Sequence, residues 1–329
     1  MMKNSLRLVM AACAVLWIWP AGAGAEIKLT VAESYPSNYP TTQGLLRFAE
    51  LVKERSNGEI VIDVKFGGAL GRNEKKLIEQ IQLGALDMGR FPASALAAAM
   101  PALETLSLPY LWKSQESLWN VLRGATGQKL LKDLEAAKFY GLCYYETGAR
   151  SFYNAKREIK TLADLKGLNF QTPKNPLMID FIALLGANPV PMAFSEVYDG
   201  IRKGVVDGAE NTWSVYESSG HYEIAKYYTF DRHTRIPEML VASKIAFDKK
   251  LKPEQILLLK QAAQESQDLV IRKWNERQEI STTIVSGKGN VLNELTPAAH
   301  EEFFEASQPL YDKYAAPYKA LIQEIRAQQ

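Results

Sequence analysis

The stretch EIKLTVAESYPSNYPTTQGLLRFAELVKERSNGEIVIDVKF, residues 26–66, decides the fold. Its first residues, 26–32, alternate apolar and polar side chains, as a half-buried strand does. A Thr-Thr pair at 41–42 then caps a helix whose apolar residues recur at helical spacing: Leu45, Phe48, Leu51 and Val52. Asn57-Gly58 ends this helix, and residues 60–66 form the next strand. A strand, a helix and a strand in this order predict a sheet flanked by helices.

The alternation of strands and helices continues through the chain. A second helix at 73–83 and a third strand at 86–91 complete a β-α-β-α-β unit. After Tyr145 the pattern starts again, with extended segments at 150–155, 167–172, 188–191 and 205–210. Helical segments lie between and after them at 162–166, 175–185, 194–203 and 216–225. The restart predicts a second α/β unit.

Three later segments connect the two units. Residues 236–244 read as a strand that rejoins the first sheet. From Pro253 to about Ser286 the helical pattern runs without an internal Gly or Pro, a length that suggests a helix bracing both units. Thr296-Pro297 is a cap followed by proline at the first helical position, and it opens a final helix.

The N-terminus has the three parts of a secretory signal peptide. Lys3 and Arg7 precede an apolar run at 8–19, and Ala23-Gly24-Ala25 fits the small-x-small cleavage rule. The apolar run is shorter than the roughly 20 residues that cross a bilayer. We therefore expect that the chain is exported and cleaved after Ala25.

Composition excludes several classes of function. The chain has 39 Lys and Arg residues, and removing Lys3 and Arg7 leaves 37 basic residues against 37 acidic ones. A near-neutral mature chain without a basic stripe is not expected to bind nucleic acid. Cys143 is the one cysteine of the mature chain, so no intrachain disulfide is expected. About 300 residues suffice for a large core divided between two lobes.

An enzyme finds little support in the sequence. The three histidines are His221, His233 and His300, and the segment 300–304 lacks the second His of a zinc-protease motif. The glycines of 67–71 have neither the Lys-Ser/Thr nor the spacing of a phosphate-binding loop. We therefore expect a chain that is not an enzyme and uses neither a metal nor a cofactor.

Polar residues near the unit boundary suit the capture of a small acid. Arginine matches a carboxylate with two parallel hydrogen bonds, and Arg150 lies where the second unit begins and a hinge is expected. An ordinary surface arginine is the alternative reading of Arg150. Arg90, among small and apolar residues at a strand end, needs a partner or a ligand. Asn211 and Trp213 suit a polyhydroxylated ligand, although a tryptophan alone is more often core.

Several motifs resemble the solute-binding proteins of TRAP (tripartite ATP-independent periplasmic) transporters, the DctP-like family. They occur in the family's order and are LGRNEKK at 70–76, QLGALDM at 82–88, ADLKGL at 163–168, PMAFSEVY at 191–198 and GVVDGAEN at 204–211. The resemblance implies a two-lobed periplasmic-binding-protein fold with a ligand cleft between α/β lobes, crossing hinge strands and a long bracing helix. It also implies a location in the periplasm and handover of a small organic acid to the small and large membrane subunits. The boundaries that we predict are 26–147 plus about 236–275 for lobe I, and 148–235 plus about 276–329 for lobe II. The receptor is expected to be a monomer.

A closer resemblance is to the members of the family that bind hexuronates. It is carried by ENTWSVYESS at 210–219, by His221-Tyr-Glu223, by GARSFYN at 148–154 and by Asp87-Met-Gly-Arg90. Carried over position by position, it implies ligand contacts at Arg150 and Asn211. Glu74, Arg90 and Trp213 are the sugar-facing residues that it implies, and Trp213 or Tyr216 would cover an apolar face of the ligand.

Gln171 departs from the family pattern. The family usually has a carboxylate-binding arginine in the strand after the Asp-Leu-Lys-Gly motif, and that position falls on Gln171. Glutamine forms hydrogen bonds without charge, and charge-assisted bonds are roughly twice as strong as neutral ones. The ligand would then be oriented differently, be held by Arg90 and Arg150, or lack a carboxylate. Two alternatives to a sugar-acid receptor therefore stay open: a receptor for an uncharged solute, and a ligand-sensing module for a signalling kinase.

Overall fold

The computed structural model describes residues 26–329, so the predicted signal peptide lies outside the described residues. In chain order the strands are β1 (Ile27–Ala32), β2 (Ile60–Lys65), β3 (Met88–Pro92), β4 (Phe139–Tyr145), β5 (Arg150–Asn154), β6 (Asn169–Thr172), β7 (Asn188–Pro191), β8 (Gly208–Thr212), β9 (Tyr227–Thr234), β10 (Glu238–Ser243) and β11 (Val291–Glu294). The helices are α1 (Pro40–Arg55), α2 (Glu74–Gln82), α3 (Ala93–Leu96), α4 (Gln115–Arg123), α5 (Ala125–Asp133), α6 (Pro176–Leu184), α7 (Val197–Arg202), α8 (Trp213–Ser218), α9 (His221–Ile224), α10 (Lys244–Lys250), α11 (Pro253–Val285), α12 (Pro297–Ala315) and α13 (Lys319–Ala327). The α/β class that the sequence predicts is confirmed.

The strands form two sheets. The first has the order β2-β1-β3-β10-β4, and the second has the order β11-β9-β5-β8-β6-β7. β1 and β2 pair in parallel from Ile27 opposite Ile60 to Ala32 opposite Lys65. In each sheet one strand is antiparallel to its neighbours: β10 in the first sheet and β5 in the second. The segment 236–244 therefore rejoins the first sheet, as predicted.

The two antiparallel strands are the ones that the chain enters directly from the other sheet. β4 of the first sheet leads into β5 of the second through residues 146–149, and β9 of the second leads into β10 of the first through residues 235–237. Gly148 lies in the first crossing with a φ of 84°, and a Cβ at this position would be 2.5 Å from the Trp274 indole nitrogen. A glycine is required there because the backbone is left-handed and closely approaches the long helix.

The 33-residue helix α11 contacts both sheet units, as the sequence predicts. At 1.5 Å per residue it is about 50 Å long. Gln267 donates a hydrogen bond to the Tyr144 carbonyl of β4 (2.9 Å), and Thr282 accepts one from the Trp213 indole of α8 (3.1 Å). Anchors on β4 and α8 fix one rigid element against both units.

The C-terminal helices also reach across the molecule. Tyr311 of α12 donates to the Pro109 carbonyl (2.7 Å), and Tyr314 donates to Asp180 of α6 (2.6 Å). α13 packs against α5, and the side chain of Gln328 donates to Thr126 (2.7 Å). The last helix therefore lies against the first unit, whereas the sequence reading grouped it with lobe II.

Several elements differ from the sequence expectation. The helix predicted at 216–225 is two short helices, because Gly220 adopts a left-handed φ of 72° between them. The strand predicted at 205–210 begins later, at Gly208, since the chain is still leaving the turn at Gly204. The sequence reading missed β4, β9 and β11.

Candidate ligand-binding site

A cleft of about 660 Å³ lies between the two sheets. Tyr35 and Ser94 follow β1 and β3, while Gln171 and Asn211 lie near the carboxyl ends of β6 and β8. Arg150 joins them from the amino end of the antiparallel β5, which meets the same edge. Ligands of open α/β sheets bind outside the carboxyl ends of the strands, and the cleft has this position in both sheets.

Arg150 is held by Glu210 of the neighbouring strand. Its Nε and Nη2 donate to the two carboxylate oxygens of Glu210 (2.5 and 2.8 Å), and Nη2 also donates to the Glu210 carbonyl (2.9 Å). Nη1 donates to Asn211 Oδ1 at 3.3 Å. Within residues 26–329 the second hydrogen of Nη1 has no partner, so one donor of the guanidinium is free at the cleft.

A buried chain of charges extends from Glu210 away from the cleft. His233 Nε2 lies 3.2 Å from Glu210, and its Nδ1 lies 2.7 Å from Asp231, which also accepts from Tyr110 (3.0 Å). Burial by itself lowers the pKa of His233, but Asp231 and Glu210 outweigh it and raise the pKa to about 9. The imidazole is therefore protonated at neutral pH and donates to both carboxylates. Burial likewise opposes ionisation of Glu210, yet Arg150 and His233 hold its pKa below the usual value.

Asn211 and Gln171 add polar groups beside Arg150. Asn211 Oδ1 accepts hydrogen bonds from Arg150 and from the Thr212 amide (2.8 Å). The Nδ2 group of Asn211 has no partner among residues 26–329. Gln171 is 5% exposed, and its Nε2 donates to the Met192 carbonyl at 3.1 Å. The carbonyl fixes the orientation of this amide and leaves its oxygen as an acceptor.

Acidic side chains line the wall that the first unit provides. Glu74, at the start of α2, and Glu104 both line the cleft, and burial raises the pKa of each carboxyl. Carboxylates accept hydrogen bonds from hydroxyl groups. This wall suits hydroxyls, whereas Arg150 and Asn211 present donors that suit a carboxylate.

Arg90 does not line the cleft, which corrects the sequence prediction. Its guanidinium is 2% exposed, forms two bonds to Glu33 (2.6 and 2.7 Å) and pairs with Glu238. It also lies over the Tyr35 ring, 4.7 Å from the centroid. The charge of Arg90 is therefore satisfied inside the first unit, and Tyr35 separates it from the cleft.

Trp213 and Tyr216 likewise point away from the cleft, which corrects their predicted role. Their rings stack on each other at 5.4 Å inside a buried aromatic cluster. The Trp213 indole donates to Thr282 (3.1 Å), and the Tyr216 hydroxyl donates to the Ala225 carbonyl (2.7 Å). Both residues attach α8 to its neighbours. The apolar wall of the cleft comes instead from Leu177, Met178, Met192 and Phe194.

The sequence reading missed Tyr35, Ser94, Glu104, Ser107, Lys174 and Asn175 as lining residues. Four of them were detectable in principle. Tyr35, Ser94, Lys174 and Asn175 directly follow strands whose carboxyl ends meet the cleft. Glu104 and Ser107 belong to a 3-10 segment, Pro101–Ser107, for which the sequence carries no periodic signal.

Comparison with known proteins decides the family. Residues 31–317 match the bacterial extracellular solute-binding proteins of family 7, the DctP family. The chain belongs to this family. It is a solute receptor of the TRAP class, and receptors of this family are periplasmic. Within residues 26–329 no helix combines the length and apolar character that crossing a membrane requires.

Solved structures of TRAP periplasmic solute-binding proteins have the same architecture as this receptor. One from Sulfitobacter sp. NAS-14.1, with bound β-D-galacturonate, is 38% identical with a TM-score of 0.80, and the match covers 91% of this chain and 98% of that one. One from Chromohalobacter salexigens, with bound D-glucuronate, is 30% identical with a TM-score of 0.84, and the match covers 92% and 100%. The 2,3-diketo-L-gulonate-binding periplasmic protein of Escherichia coli K12 is 32% identical over 71% of this receptor and 73% of that protein.

Proposed function

We propose that this receptor binds a sugar acid, of the size and type of a hexuronate, in the cleft between the two sheets. One observation carries the proposal: donors of Arg150 and Asn211 that have no partner among residues 26–329 line the same cavity as the carboxylates of Glu74 and Glu104. A carboxylate at one end of the ligand suits the donors, and hydroxyls at the other end suit the acids. The cavity volume lies in the range typical of small-molecule sites.

The four inward-facing residues have separate roles in this proposal. The second hydrogen of Arg150 Nη1 and the Nδ2 group of Asn211 hold the carboxylate. Gln171 Oε1 and Glu74 accept hydrogen bonds from hydroxyls. Arg90 takes no part because Glu33 and Glu238 occupy its guanidinium. The galacturonate and glucuronate named for related structures support a polyhydroxylated acid as the ligand.

The first test is calorimetric titration with D-galacturonate, D-glucuronate, dicarboxylates and neutral hexoses. We expect a uronate to bind and Arg150→Lys to weaken it about tenfold to a hundredfold, because a hydrogen bond to a charged group contributes about 1.5–3 kcal/mol. Arg202→Gln removes a cation outside the cleft and serves as the control. Binding of neutral hexoses alone would contradict the proposal.

A receptor for an uncharged solute is the second candidate. It is favoured by the neutral Gln171 and by Glu210, which compensates the charge of Arg150. Adding D-galacturonamide to the titration separates the two candidates, since only a receptor for an uncharged solute is expected to bind the amide as tightly as the uronate.

The remaining assignments concern the whole receptor. We propose a monomer without enzymatic activity that is cleaved after Ala25 and delivers its ligand to TRAP membrane subunits, as receptors of the family do. Two lobes would meet at residues 147–148 and 235–236, where the chain changes sheets. Mass spectrometry of the ligand recovered after incubation tests the lack of turnover, and N-terminal sequencing of the exported protein tests the cleavage site.

A further inference from the structure

Two cationic side chains line the cleft, and their surroundings differ. Arg150 is ion-paired with Glu210 at 2.5 Å, so its charge is compensated before a ligand arrives. Lys174 lies in the loop after β6 and has no ion pair among residues 26–329. Glu74 and Glu104 add negative charge on the opposite wall. An anionic ligand therefore meets one uncompensated positive charge in this cleft, that of Lys174.

Gln171 cannot supply that charge. It lies in β6, three residues before Lys174, and its Nε2 is bound to the Met192 carbonyl (3.1 Å). Three residues of extended chain span at most about 10 Å. The Cα atoms of Gln171 and Lys174 are therefore at most about 10 Å apart, and both residues line the same cleft.

The start of α6 adds a second positive feature at the same place. Asn175 caps this nine-residue helix by accepting a hydrogen bond from the Met178 amide (3.1 Å), and Asn175, Leu177 and Met178 all line the cleft. A helix N-terminus carries roughly half a positive charge. A lysine at this end is electrostatically unfavourable for the helix, and an anion between the two would remove the repulsion.

We propose that Lys174 determines the preference of the cleft for an anionic ligand by forming the second charged contact to the carboxylate, beside Arg150. The inference rests on the proposed function and names the residue that makes the site selective for acids. Without Lys174, an acid would enter a cavity in which Arg150 is neutralised and two further carboxylates lie opposite.

The test compares an acid with its neutral amide. D-Galacturonate and D-galacturonamide differ in the charge of one group, so their affinities isolate the electrostatic contribution. We expect Lys174→Gln to weaken the binding of D-galacturonate about tenfold or more and to leave the affinity for D-galacturonamide unchanged. Lys174→Arg should retain the affinity for the acid, and Lys174→Gln should reduce the dependence of that affinity on salt concentration.

Lys203→Gln is the matched control, because it removes an exposed lysine of the same unit that lies outside the cleft lining and has no ion pair within the described part of the chain. Equal affinity of wild type and Lys174→Gln for D-galacturonate would overturn the assignment of Lys174. The assignment is also overturned if Lys203→Gln weakens the binding of D-galacturonate as much as Lys174→Gln does, since the effect would then come from the net charge of the protein. If the wild type binds no acid, the proposed function itself fails.

Discussion

At the residue scale, the ion pair of Arg150 with Glu210 would make this arginine a precise contact for the proposed ligand. Its Nε and Nη2 donate to Glu210, and part of Nη1 donates to Asn211. The guanidinium therefore has little conformational freedom to lose when a ligand binds. Such preorganisation favours affinity because the ordering cost is already met in the folded receptor.

The protonation of His233 predicts a pH-dependent stability. The pKa of His233 is raised from 6.5 to about 9 in the folded state by Asp231 and Glu210, against the effect of burial. A histidine whose pKa is higher in the folded than in the unfolded state stabilises the fold through its protonated form. This stability is fully present below about pH 6.5 and is lost as the pH rises through about 9. We expect the free energy of unfolding, measured with urea, to fall by about 3 kcal/mol over this interval.

His233→Gln provides the control for this prediction. The variant has no titrating group at this position, so its unfolding free energy should change much less between about pH 6.5 and pH 9. Tyr110, which also contacts Asp231, has a pKa raised further above its ordinary value and does not titrate in the interval. An equally steep slope in His233→Gln would show that other groups carry the effect.

Individual site residues were predictable from motifs, but their surroundings were not. The motifs indicated Arg150, Asn211, Gln171 and Glu74, all of which line the cleft. Arg90 has charged partners, as its position among small and apolar residues predicted. Its partners lie 57 and 148 residues away in the chain, at Glu33 and Glu238, and one sequence gives no means of pairing them.

At the element scale, the close packing of α1 on α11 depends on one glycine. A Cβ added at Gly44 would lie 2.2 Å from Val270 Cγ2 and 3.2 Å from Tyr145 Cζ. Real side chains do not approach so closely, so α1 reaches this distance from α11 because residue 44 has no side chain. α1 also packs against β2, so its contact with α11 attaches the first sheet to this long helix.

This contact predicts a compensating pair of substitutions. Gly44→Ala should destabilise the receptor by about 1–3 kcal/mol through overpacking, and Val270→Ala should destabilise it by about 2 kcal/mol through a cavity. The double variant should lose less than the sum, because each substitution relieves the other. Urea denaturation of the four proteins measures the coupling, and strict additivity would contradict the contact.

Elements with an uninterrupted local pattern were predictable, and elements fixed by distant contacts were not. α11 has no internal Gly or Pro and was predicted to within a residue. β4 is buried along nearly its whole length, so it lacks the alternation that identifies a strand with one exposed face. β11 is a four-residue edge strand defined by its pairing with β9.

At the scale of the whole molecule, the ligand cleft is a consequence of the two crossings between the sheets. Each crossing reverses one strand, so the amino ends of β5 and β10 meet the carboxyl ends of their neighbours at the cleft. Arg150 and Glu238 are the first residues of these two strands. The chain segments that join the units are therefore continuous with the strands that place Arg150 and Glu238 at the junction of the two units.

A ligand that contacts both units should favour a more closed arrangement. Tyr35 and Glu74 come from the first unit, and Arg150 and Gln171 come from the second. A ligand shifts a conformational equilibrium only by its differential affinity for the two states, and contacts on both walls give the closed state the higher affinity. We expect saturating D-galacturonate to reduce the radius of gyration measured by small-angle X-ray scattering. A neutral hexose that does not bind, at the same concentration, is the control. An unchanged radius in a receptor that calorimetry shows to be saturated would mean that the cleft has its binding geometry before the ligand arrives.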